Sequence, residues 1–186
     1  EYEDGILSGE EGSPLLPWMG IDLMLAPGEE LAGVNILDIE YYAEAANGTI
    51  QPAAREFPLS QAVPAGYTAL PDPAIYNRNG IYPADKTEGE GTGYLCGHSI
   101  AYFSFCPVAY NPADGEIRFV KSISLEIETT SGSRANAALA YLKGNEKIAS
   151  RIERIVENPA DLSQYSYNNT MRIEDYDLLL ITSNSY

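Results

Sequence analysis

Three side chains with chemistry available to them lie close together in the chain, Cys96, His98 and Cys106, and these are its two cysteines and its one histidine. The stretch from Tyr94 to Tyr110 alternates like a single strand, and equal parity puts all three on one face. A thiol two residues from an imidazole is the start of a nucleophile and base pair. Nothing nearby supplies an orienting third group or an oxyanion turn, so no catalytic residue is assigned. Two Cys and one His also fall short of the usual four ligands of a structural metal site, and the sequence implies neither a metal nor a cofactor. Extended chain rises ~3.3 Å per residue, which separates Cys96 and Cys106 by roughly 33 Å. A disulfide tolerates roughly 7 Å between Cα atoms. Unless the strand folds back at Gly97, the thiols are free.

The elements that would position these residues are mostly strands. The chain has 186 residues, 45% of them hydrophobic, with 14 Tyr against 4 Phe and 1 Trp. Tyrosine suits half-buried strand surfaces whose hydroxyls reach water. The 16 Gly and 12 Pro are spread along the chain and call for many turns. A net charge of −16 disfavours phosphate backbones and anionic lipid, so nucleic acid is excluded as a partner. No apolar run approaches the roughly 20 residues that span a bilayer, so membrane insertion is excluded too.

Residues 1–12 read as a flexible acidic head that frays. Ile21, Leu23 and Leu25 form a short strand ended by Ala26-Pro27-Gly28, and Val34 to Tyr42 forms a second. Asn47-Gly48 is a turn signal. Prolines between Gln51 and Asp72 mark a long surface connection, and Ala74 to Glu90 reads as a loop. Asn111-Pro112-Ala113-Asp114-Gly115 closes a hairpin into Glu116–Thr129, where Ile117, Phe119, Ile123, Leu125 and Ile127 share one parity. Arg118, Ser122, Ser124, Glu126 and Glu128 take the other, with Val120 and Lys121 as exceptions. From Ala135 to Glu157 the apolar spacing becomes helical, with Ser133 as cap, Asn158-Pro159 as stop and Gly144-Asn145 as a point of division. Leu178 to Ser183, behind Asp175-Tyr176-Asp177, is a continuous apolar run of the kind found in central parallel strands. Such a strand needs neighbours, so it reads as the opening of a further domain.

In this order, several segments resemble the N-terminal propeptide of the gingipain-type cysteine peptidases, followed by the first strand of the peptidase domain. They are Gly12-Ser13-Pro14-Leu15-Leu16-Pro17, Ile21 to Gly28, Tyr82-Pro83, Cys106 to Ile117 with its Tyr110-Asn111-Pro112, and Tyr176 to Thr182. The resemblance implies a mainly β fold, an antiparallel β-sandwich of jelly-roll character followed by a C-terminal helix and one detached strand. The domains would be the head at 1–12, the sandwich prodomain at 13–132, helix and connector at 133–174, and the truncated peptidase domain at 175–186. It further implies a non-catalytic propeptide that keeps its cognate peptidase catalytic domain latent and assists its folding, secreted or at the cell surface of a Gram-negative bacterium after export through the periplasm. The catalytic His and Cys would lie outside this chain, and His98, Cys96 and Cys106 inherit no role.

Members of this type are understood to insert a basic side chain from a loop into the specificity pocket of the peptidase. The cations of the 74–90 loop are Lys86 and Arg78. Lys86, in Asp85-Lys86-Thr87-Glu88-Gly89, is expected to protrude and is preferred; Arg78 lies in a tighter Asn-Arg-Asn-Gly turn. Arg172 is the basic residue of the connector from Asn158 to Asp175 and the candidate processing site. A secreted carbohydrate-binding or adhesion module, using exposed tyrosines as stacking platforms, is the alternative from another class; a stand-alone enzyme lacks a convincing nucleophile and base.

Overall fold

A computed structural model describes residues 5–167. The expected closing strand and Arg172 lie outside the described residues. In chain order the strands are β1 (Ile6–Ser8), β2 (Leu16–Met24), β3 (Glu29–Tyr41), β4 (Ala46–Asn47), β5 (Thr87–Leu95), β6 (His98–Phe105), β7 (Val108–Asn111) and β8 (Glu116–Ser131). The helices are α1 (Pro73–Tyr76), α2 (Ser133–Leu139) and α3 (Glu146–Ile152), with a final 3₁₀ turn over Pro159–Gln164.

All strand pairs are antiparallel, in two sheets. One has the order β1-β2-β6-β5; in the other, β8 pairs with β3, β4 and β7. The expected alternation of β8 holds from Ser122 to Glu128, where Ile123, Leu125 and Ile127 are partly covered and the polar residues between them exposed. The exceptions, Val120 and Lys121, fall where the β3–β8 register shifts between Glu40 and Tyr41, since a bulge turns the following side chains to the other face. Apolar side chains collect in two cores. Leu16, Cys106 and Val108, with Trp18, Ile117 and Phe119, fill the space between the sheets. Met24 and Ile100 pack with Ile152, Val156 and Tyr165 where the helices cover one end of the first sheet.

The stretch from Tyr94 to Tyr110 is not one strand. Cys96 and Gly97 both have positive φ, 50° and 88°, and Leu95 pairs with His98, the geometry of a two-residue hairpin turn. A second break follows at Cys106-Pro107, before β7. The chain therefore does fold back at Gly97, yet both thiols are free, because Cys96 sits in the turn at one end of β6 and Cys106 just past the other. Glycine is needed at 97 for packing as well as for φ: a Cβ there would lie 2.4 Å from the Leu142 Cα.

Within the described part of the acidic head, β1 pairs with β2, and the Gly12 N–H bonds the Ala53 carbonyl at 3.0 Å. The 51–72 connection contains no strand or helix, yet main-chain bonds tie it to residues 12–15: the Leu15 N–H donates to the Gln51 carbonyl at 2.9 Å, the Ala53 N–H to the Ser13 carbonyl at 2.7 Å and the Asp72 N–H to the Gly12 carbonyl at 2.9 Å, around a Pro14–Pro52 bridge. The 74–90 segment is not all loop, since α1 ends inside it and β5 begins at Thr87. The helical region divides in two, as Gly144-Asn145 suggested. Asn145 caps α3 through its side chain, but Ser133 is not the cap of α2; Gly132 holds that position without a side-chain bond. The Glu30 carboxylate instead accepts from the Ala135 N–H at 3.0 Å, satisfying one of the free donors of the first turn.

Candidate functional site

The loop carrying Arg78 is fastened at both ends. Asp72 caps α1, and the Tyr76 hydroxyl donates to the Ile50 carbonyl at 2.8 Å. On the other side Tyr82 and Tyr110 exchange main-chain bonds of 2.7 and 2.9 Å. The loop also meets the β7–β8 hairpin, where the Gly80 N–H donates to Asn111 Oδ1 at 3.4 Å. Between these fastenings Arg78 is exposed. A short loop held on both flanks loses little freedom on binding, so a cation at its tip is presented in a fixed place.

Lys86 is the opposite case, and the expectation that it protrudes is overturned. Its residue is 6% exposed, and its Nζ donates to the Val108 carbonyl. The main chain is clamped as well, since the Cys106 N–H donates to the Lys86 carbonyl at 2.9 Å. The Cys106 thiol donates to the same Val108 oxygen at 3.4 Å. Burial lowers the Lys86 ammonium to about 8, with Cys106 opposing. Burial likewise raises the Cys106 thiol, against the Val108 bond and the Lys86 charge. A thiol so enclosed and raised is a poor nucleophile. The local sequence Asp-Lys-Thr-Glu-Gly reads as solvated loop because its charged neighbours are; only the crossing of the strand start by Cys106–Val108 encloses the one side chain among them.

His98 does not share an open face with either thiol. It is wholly buried, and it is bonded on one side by β5 and on the other by the C-terminal segment, which sequence reading treated as a plain connector. Nδ1 lies 3.0 Å from the Leu95 carbonyl and Nε2 lies 3.0 Å from the Tyr167 hydroxyl. The Tyr165 hydroxyl accepts from the Ser99 N–H and donates to the Leu25 carbonyl, both at 2.9 Å. Asn158 imitates a strand neighbour: its Oδ1 accepts from the Met24 N–H at 2.7 Å and its Nδ2 donates to the Met24 carbonyl at 3.0 Å. Residues 158–167 thus clasp the ends of β2 and β6. The available signal was two tyrosines and an Asn-Pro stop in a polar stretch, which local pattern assigns to solvent.

A cleft of about 680 Å³ is lined by Trp18 and Tyr82, with Glu10, Glu11, Glu56, Asp85 and Glu88 in its walls. Among the described residues no group of three or more His, Cys, Asp or Glu side chains is placed to hold a metal ion. No helix among them is long and apolar enough to cross a membrane.

The two packed antiparallel sheets are a fold that solved structures share. A chain of a complex of the pro- and mature domains of RgpB from Porphyromonas gingivalis aligns with a TM-score of 0.60 at 16% identity, over 84% of this chain and 77% of that one. A structure addressing the zymogenic latency of gingipain K from Porphyromonas gingivalis aligns with a TM-score of 0.54 at 19% identity, over 69% and 72%. No curated protein sequence matches the chain. The Propeptide_C25 family matches residues 2–151, and the chain belongs to it. It is therefore a propeptide, not the catalytic domain of a peptidase.

Proposed function

We propose that this propeptide keeps its cognate gingipain-type cysteine peptidase latent and assists its folding by covering the active site, in a protein exported through the periplasm to the outside of a Gram-negative cell. Arg78 is the side chain that enters the specificity pocket. The observation that carries this choice is the contrast between the two candidates: Arg78 is exposed on a loop pinned at both ends, whereas Lys86 is enclosed and bonded to Val108. A cation already held in place inhibits without offering its own peptide bond in reactive geometry. Cleavage after Arg172 then separates propeptide from enzyme, inside the helix and connector segment proposed for residues 133–174 and just ahead of the peptidase domain proposed from residue 175.

The test is inhibition of the cognate peptidase. Arg78→Ala is expected to raise the inhibition constant by at least tenfold, corresponding to ~1.4 kcal/mol, while Lys86→Met in a folded chain leaves it within about twofold. If Arg78→Ala leaves inhibition intact, Arg78 does not enter the pocket. Sequencing the new amino terminus of the matured enzyme tests Arg172.

A further inference from the structure

His98 is the single histidine of the chain, and its contacts tie the last described residues to the sandwich. The Leu95 carbonyl can only accept, so Nδ1 carries the proton and Nε2 offers its lone pair to the Tyr167 hydroxyl. The rings of Tyr165 and Tyr167 lie 4.6 and 5.9 Å from the imidazole, centre to centre. Ser99, next in the chain, gives its N–H to Tyr165. One buried ring therefore contacts both Tyr165 and Tyr167 of the connector.

What surrounds that ring decides how it responds to a proton. From the β5–β6 turn comes the main chain of Cys96, whose thiol is free. From the link between α2 and α3 comes Lys143, whose N–H bonds the Cys96 carbonyl and whose side chain is exposed. From the C-terminal segment come the phenols of Tyr165 and Tyr167, and Glu29 acts on Tyr165. Among the described residues no carboxylate bonds the imidazole. The Tyr167 hydroxyl can turn to accept from a protonated Nε2, and the two aromatic faces return part of the lost hydration. The hydrogen bond thus survives protonation, and the uncompensated buried charge is the weak point. In accord with this, burial lowers the His98 imidazole below its ordinary value, against the bonds to Leu95 and Cys96.

We propose that His98 is an acid-sensitive latch: neutral, it holds residues 165–167 against the end of β6, and protonated, it lets them go. Because the folded value is lowered, the latch is fully closed above the ordinary histidine value of about 6.5 and weakens as pH falls through the folded value. Opening removes the last described attachment ahead of Arg172. That consequence for maturation rests on the latency reading above; the latch itself does not.

The test uses the whole chain without peptidase. A lone imidazole gives one unambiguous titration by NMR between pH 8 and 5, and amide exchange at Ser99 reports the Tyr165 bond directly. The expected result is a His98 transition below the ordinary value, with Ser99 opening up to about tenfold more often per pH unit through it, while amides of the β7–β8 hairpin stay protected. His98→Gln, which keeps a polar side chain and cannot titrate, should lose the pH response whether or not its clasp is weaker throughout. Tyr165→Phe should expose the Ser99 amide at both ends of the range. Ser99 protection unchanged across the His98 transition would overturn the proposal, as would an acid response retained in His98→Gln. A negative result leaves latency to its own inhibition assay, and failure of that assay leaves the latch standing.

Discussion

Replacing Lys86 by Met should abolish a rise of stability with pH. The Lys86 ammonium is enclosed, with the Val108 carbonyl as its hydrogen-bond acceptor, and burial brings it from 10.5 to about 8. The unfolded chain therefore binds more protons than the folded one between those values, and folding gains stability as pH rises through that window. The full difference is on the order of 3 kcal/mol. Between pH 7.5 and 9.5 about 2 kcal/mol of it should appear. Cys106 acts in the reverse sense, since burial raises its thiol, so its share of stability is lost as pH rises past the unfolded thiol value. The comparison is therefore between Cys106→Ala and Cys106→Ala with Lys86→Met. Urea unfolding followed by the fluorescence of Trp18, the single tryptophan, reads both. The first should gain about 2 kcal/mol over the window, and the second should be flat and no less stable at pH 7.5, because Met keeps the volume and removes a desolvated charge. An equal gain in both proteins would refute the assignment, as would no gain in the first.

Asn158→Ala removes both bonds to the Met24 main chain and should cost ~2 kcal/mol in urea unfolding; a loss below about 0.5 kcal/mol would mean that the clasp does not anchor there. Gly97→Ala places a Cβ against the Leu142 backbone at positive φ and should lower the thermal midpoint by more than 10 °C or prevent folding. Ile152→Ala empties a wholly buried site between β2 and the helices and should cost about 3 kcal/mol, measured by chemical denaturation. If the acidic cleft and its surroundings meet a basic face of the peptidase, inhibition should weaken between ~0.05 and ~0.5 M salt; a constant affinity would exclude that contribution.

The parts of the fold that could be read in the sequence are those whose causes are local. The Asn111–Gly115 turn carries its own side-chain bonds, from Asn111 to Asp114 and from Asp114 to the Glu116 N–H, and the alternation in β8 reflects one wet face. The Cys96–Gly97 turn was hidden because a two-residue hairpin preserves parity, so β5 and β6 read on as one strand, and cysteine is not a residue that marks left-handed backbone. Lys86 and His98 were misplaced for a different reason: each owes its environment to chain that arrives from elsewhere. Val108 comes from the next strand but one, and Tyr165 and Tyr167 from beyond the helices. Arg78 was legible as a turn cation, but its fastening through Tyr76 and Tyr82 depends on Ile50 and Tyr110, far away in the chain.

The tie between Asn158 and Met24 spans 134 positions, and that between Tyr165 and Leu25 spans 140. A polypeptide that leaves the ribosome, or threads a secretion pore, amino end first must therefore carry an unfinished edge on β2 until almost all of the described residues have emerged. During that interval Met24 and Leu25 lack their last main-chain partners, and the domain is open to holding chaperones. Completion of these ties thus waits for residues 158–165, so that closure of the β2 end is set by the passage of that segment.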